Sequence, residues 1–96
     1  MGKGQKYHVD FSTSAAKELK KLSKSIQPKQ LKRIQERIEA LAGDPRPSGV
    51  EKIEDSDLDL WRVRVGDYRI VYQIEDDTLV IIVIRIGHRR EVYRGL

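Results

Sequence analysis

From Tyr7 to Phe11 apolar and polar residues alternate, the period of two shown by a half-buried strand. Ser12, Thr13 and Ser14 follow, and any of the three can cap a helix. Ala15, Ala16, Leu19 and Leu22 then form an apolar stripe at helical spacing, with Lys17, Lys20 and Lys21 outward. The stripe breaks from Ser23 to Gln27. Pro28 suits the first turn of a second helix, where its missing N–H costs nothing. Leu31, Ile34, Ile38 and Leu41 recur at steps of three, four and three, one face of that helix. Gly43 is the expected C-cap, and Pro45 and Pro47 prevent continuation.

From Leu60 the period changes to two. Leu60–Val65 and Tyr68–Ile74 flank Gly66-Asp67, a hairpin signal in which glycine first and aspartate second fits a type II′ turn better than type I′. Glu75-Asp76-Asp77-Thr78 reads as the next turn. Leu79–Ile86 is the most apolar run and the expected central strand, closed by Gly87 and followed by a basic tail, residues 88–96. Residues 44–59, with Pro, Gly and six acids, read as a loop. The order is strand, helical hairpin, three-stranded antiparallel meander. It predicts an α+β domain with both helices on one sheet face. At 96 residues there is room for one core, so 1–96 is expected to be a single domain, with residues 1–6 flexible.

Composition narrows the chemistry. The chain has no cysteine, which excludes a disulfide scaffold, a thiolate metal site and a cysteine nucleophile. The two histidines are too few for a histidine-rich metal site. No apolar run is long enough to span a bilayer, and the basic N-terminus lacks the apolar stretch of a signal peptide, so a cytoplasmic protein is expected. Charged residues make up 35% against a usual quarter. The net charge of +4 hides a strong division: residues 1–43 carry +6, residues 44–59 carry −4, and residues 60–96 carry +2. All nine lysines lie at or before Lys52, whereas seven of ten arginines lie at or after Arg62. Lysine suits solvated helix faces or general steering of nucleic acid. Arginine offers a planar fork that holds phosphate in fixed geometry.

A two-residue loop sets the hairpin register: Val65 opposite Tyr68, Arg64 opposite Arg69, Val63 opposite Ile70, Arg62 opposite Val71. Trp61, Val63, Val65, Ile70 and Tyr72 then face the core, and Arg62, Arg64 and Arg69 share the other face. Like charges directly opposite destabilise a hairpin. The cluster therefore reads either as an anion site, most simply for a phosphodiester backbone, or as a solvated face neutralised by the acidic segment. Arg85 adds a cation near the end of the last strand. A tail folding back would bring Arg89 and Tyr93 to the cluster. A lone tyrosine is most often a hydrogen-bonded core residue, but beside several cations a phenol ionises more readily and becomes a usable general base. His88 is a candidate site residue or a turn residue. Lys52, Arg85, His88 and Arg90 are the further RNA-binding candidates. No paired carboxylates, phosphate loop or nucleophile elbow is present. RNA carries its own nucleophile in the 2′-OH, so metal-free phosphodiester transfer suits a set built on arginine and tyrosine.

Leu60-Trp61-Arg62-Val63-Arg64-Val65-Gly66-Asp67-Tyr68-Arg69-Ile70-Val71-Tyr72, followed by Ile86-Gly87-His88-Arg89-Arg90-Glu91-Val92-Tyr93, resembles the RelE toxins of the RelE/ParE toxin–antitoxin superfamily. The order of elements agrees over essentially the whole chain. The resemblance implies a ribosome-dependent endoribonuclease that cleaves A-site mRNA by 2′-OH attack, with no cofactor and no metal. It implies that Arg69 stabilises the transition-state phosphate, Arg89 assists the leaving group and Tyr93 is the general base. Arg62 and Arg64 stand where the best-known bacterial member has lysines. Arginine does not act as a base at accessible pH, so phosphate gripping carries over and lysine proton transfer does not. A C-terminal helix that some members have is not expected. A RelB-like antitoxin, partly disordered and acidic where it binds, is the implied partner, with the ribosome and mRNA. The alternatives are a ParE-like toxin that inhibits gyrase by protein binding and a catalytically inactive domain that binds RNA or antitoxin.

Overall fold

Both helices begin where a cap and a proline allow them to. In the computed structural model, which describes residues 6–54 and 56–88, strand β1 (His8–Phe11) passes through Ser12 into helix α1 (Thr13–Ser25). Of the three candidate caps, Ser12 takes the role. Its hydroxyl accepts from the Ala15 N–H at 3.0 Å and donates to the Ile84 carbonyl at 2.9 Å. One side chain thus starts the helix and ties it to the sheet. The helix does not stop at the broken stripe. Ser23 and Ser25 donate their hydroxyls back to the carbonyls of Lys20 and Lys21, and Leu22 and Ile26 pack against the core, which carries α1 to Ser25.

Pro28 opens helix α2 (Pro28–Leu41), and Ile34, Ile38 and Leu41 are its buried stripe, with Leu31 half-buried. The C-cap is Ala42, one residue before the expected Gly43. Ala42 keeps a right-handed helical backbone, and no left-handed residue is used there. The acidic segment is not all loop. It contains a short strand, β2 (Glu51–Lys52), paired antiparallel with Arg62 and Trp61. Two residues are too few for a period to register in sequence. The partner edge creates this strand.

β3 (Leu60–Val65), β4 (Tyr68–Glu75) and β5 (Val80–His88) complete a five-stranded sheet of order β1-β5-β4-β3-β2, with β1 parallel to β5. The expected three-stranded meander is present, with a strand added on each side. The most apolar run does not lie at the sheet's centre: β4 does. β5 is apolar because it is paired on both sides and carries α1 on its face. The hairpin register is the expected one at all four pairs named above. Gly66 has φ +60°, while Asp67 stays out of the left-handed region, as a type II′ turn requires. A Cβ at Gly66 would lie 3.1 Å from the Gln30 amide, so the turn also needs glycine for space.

The helices contribute Ala15, Ile34, Ile38 and Leu41 to the core, against Val63, Val65, Ile70, Tyr72, Ile74, Ile81, Val83 and Ile86 from one sheet face. The helices therefore cover that face and leave the arginine side uncovered by them. Among the described residues no helix is long and apolar enough to cross a membrane. β5 runs through Gly87 to His88 rather than ending at Ile86, and the rest of the tail, residues 89–96 with Arg89, Arg90 and Tyr93, lies outside the described residues, as do residues 1–5.

Candidate active site

Strand alternation puts Arg62, Arg64 and Arg69 on the sheet face away from the helices, with Arg64 directly opposite Arg69. Together with Gly49 and Glu51 they line a depression of about 160 Å³. Gly49 has φ +93°, a conformation that favours glycine. Pairing of β2 with β3 sets Glu51 opposite Arg62, and the Arg62 Nε donates to Glu51 Oε1 at 2.7 Å. The acidic segment neutralises Arg62, whereas no carboxylate among the described residues pairs with Arg64 or Arg69. Two adjacent guanidiniums without a counter-charge can bind two oxygens of one phosphate and stabilise negative charge developing on it. Glu51 is the residue that sequence reasoning missed. The acidic segment was visible, but which acid meets an arginine depends on the short strand.

The other candidates are placed elsewhere. Lys52 alternates to the opposite face from Glu51 and donates to Asp59 Oδ1 at 2.7 Å, with its ammonium 5.4 Å from the centre of the Trp61 ring. Arg85 donates to Glu18 Oε2 at 3.0 Å, and the other oxygen of Glu18 accepts from the Ile86 N–H at 2.8 Å. β1 pairs with β5 only as far as Val83, so Glu18 supplies an acceptor where the neighbouring strand has ended. Arg85 and His88 line a separate groove of about 260 Å³ between α1 and β5. The His88 ring stands edge-on to Tyr68, with centroids 5.9 Å apart. Gly87 is opposite Arg69, so the last described residues of β5 end beside the arginine pair.

A clasp holds the connector that presents Gly49 and Glu51. Arg46 binds Asp59 Oδ2 at 2.7 Å and Asp76 Oδ2 at 3.0 Å. The Tyr7 hydroxyl donates to Asp76 Oδ1 at 2.6 Å, and the Trp61 indole donates to Asp59 Oδ1 at 2.8 Å. Burial alone would raise the Asp59 pKa, but hydrogen bonds from Lys52, Trp61 and Arg46 bring it below the usual carboxylate value. Asp76 is lowered first by its hydrogen bond from Arg46 and then by that from Tyr7. Beneath the clasp, burial pushes the Tyr72 phenol up to about 12, and its hydroxyl donates to the Pro45 carbonyl at 2.7 Å. Among the described residues no group of three or more His, Asp or Glu is arranged to hold a metal ion.

A family described as the ParE toxin of the type II toxin–antitoxin system, parDE, matches residues 9–93. The mRNA interferase toxin RelE of Escherichia coli (strain K12) is 33% identical over 89 residues, 91% of this chain and 90% of that protein. Toxin RelG of Mycobacterium tuberculosis is 32% identical over 91 residues, covering 92% and 97%. Among solved structures, the archaeal RelE–RelB complex from Pyrococcus horikoshii OT3 superposes with a TM-score of 0.74 at 30% identity, covering 91% of this chain and 99% of that one.

Proposed function

The chain belongs to the RelE/ParE family of toxins of type II toxin–antitoxin modules, and from that premise we propose that it is an endoribonuclease acting on mRNA in the ribosomal A site. The observation that carries this reading is the Arg64–Arg69 pair, two opposed guanidiniums without a carboxylate partner among the described residues, on an open face. The name of the E. coli relative, an mRNA interferase, supports the substrate class.

In this reading the RNA 2′-OH attacks the adjacent phosphorus and the 5′-oxygen leaves. Arg64 and Arg69 hold the non-bridging oxygens and stabilise the charge that grows on them in the phosphorane. Arg62, released from Glu51, orients the neighbouring backbone. Tyr93 takes the 2′-OH proton and Arg89 assists the departing oxygen, two roles taken from the family resemblance. The nucleophile belongs to the substrate and the cations belong to the protein, so the reaction proceeds without added metal. Solved relatives in complex with RelB support a RelB-like antitoxin as partner. The ParE description of the family favours a second reading, gyrase inhibition by protein binding with no chemistry.

Ribosomes programmed with mRNA in the A site separate the two. The expected result is cleavage by the wild type that is lost in Arg89→Ala and Tyr93→Phe. Intact mRNA together with stalled gyrase supports the second reading. Normal cleavage by both variants overturns the assigned roles of Arg89 and Tyr93.

A further inference from the structure

We infer that Arg33 and Arg37 of α2 form, with Arg64, a second phosphate-binding subsite, which takes the RNA backbone flanking the reacting phosphate. The inference rests on the RNA reading above and extends it. Arg33 and Arg37 are one helical turn apart and share a face of α2. With Arg64, Val65 and Gly66 they line a depression of about 380 Å³. Arg64 lines both this depression and the one that holds Arg62 and Arg69, so the two are joined through a single side chain.

Three further features mark this surface as a receptor for anions. The Arg37 Nε is buried and has no acceptor among the described residues, so the fold itself leaves part of this guanidinium unsatisfied at an energetic cost. Neither Arg33 nor Arg37 pairs with a carboxylate among the described residues. Glu36 is the one acid lining the depression, against three arginines. In addition, β2 covers β3 only at Trp61 and Arg62. The Ile53 N–H donates outward to the Leu60 carbonyl, so antiparallel alternation turns the Arg64 amide toward the same uncovered edge. An acidic peptide strand would use that edge chiefly through its backbone. A single-stranded RNA matches the observed arrangement better, because its repeated charges engage both depressions at once through Arg64.

The test uses fully 2′-O-methylated RNA, which cannot be cleaved, as a trinucleotide and a nonanucleotide bound to the full chain. The wild type is expected to bind the longer strand more tightly. Arg33→Gln/Arg37→Gln should leave trinucleotide affinity unchanged and lose about tenfold on the nonanucleotide, the effect of two partly exposed ion pairs. Its log–log salt slope should flatten by about 1.4, roughly 0.7 for each lost phosphate contact on a single strand. The single variant Arg33→Gln, at an exposed position, should show about half of that flattening if the double variant fails to fold. Equal losses on both lengths, or no loss on either, overturn the subsite. So does an acidic peptide whose binding depends on Arg33 and Arg37 while RNA binding does not. If the trinucleotide does not bind the wild type, the RNA reading of the Arg62, Arg64 and Arg69 face falls and the subsite falls with it. Trinucleotide binding with an indifferent long strand overturns the subsite alone.

Discussion

Arg64 and Arg69 repel each other across the hairpin that holds them, and the nearest carboxylate in their depression is committed to Arg62. Glu51 therefore competes with any phosphate that enters. Its ion pair is 38% exposed on the arginine side and 66% on the glutamate side, so it adds less than about 1 kcal/mol to stability. Glu51→Gln should accordingly leave the melting temperature nearly unchanged and tighten binding of a 2′-O-methylated trinucleotide by roughly threefold to fivefold. Fluorescence anisotropy checks this, and weaker binding would mean that Glu51 positions Arg62 rather than blocking it. At this scale the arginine cluster was legible because alternation and a two-residue turn fix which side chains meet. The roles of Glu51 and Lys52 were not, since both depend on a strand too short to leave a period. Arg85 read as a free cation because the acid that binds it, Glu18, is 67 residues away in sequence.

The elements divide in the same way. Long apolar stripes gave both helices, and the change of period gave the hairpin, because each buries a continuous face. The connector is a loop apart from β2, as expected, but polar contacts order it: Arg46 bridges Asp59 and Asp76, and Tyr72 holds the Pro45 carbonyl. Those contacts make it sensitive to acid. Asp59 and Asp76 have folded pKa values below their unfolded value of about 3.9. Their contribution to stability is complete above that value and is lost as pH falls through the folded value. Trp61, bonded to Asp59, reports on the clasp, so its fluorescence should change below about pH 4 while the core strands still resist amide exchange. Asp59→Asn should remove that early step and lower stability at neutral pH by about 1 kcal/mol. An unchanged acid transition in the variant would show that the clasp does not order the connector.

Over the whole molecule, a modest net charge of +4 resolves into separate tasks. The acidic connector spends its charge on Arg46, Lys52 and Arg62, and Glu18 on Arg85. Arg33, Arg37, Arg64 and Arg69 remain without a paired carboxylate among the described residues. The order strand, two helices, three-stranded meander was legible from periodicity alone, while β2 and the pairing of β1 with β5 depend on partners distant in sequence. A fold shaped only for stability would not leave two guanidiniums opposed on its open face. The central claim is that this pair is kept for phosphoryl transfer, and Arg69→Gln tests it most directly when melting and A-site cleavage are measured on the same preparation. The account predicts a melting temperature unchanged or raised by roughly 2–4 °C as the repulsion is relieved, together with a loss of at least about a hundredfold in cleavage rate. Wild-type cleavage by a folded Arg69→Gln variant would contradict it.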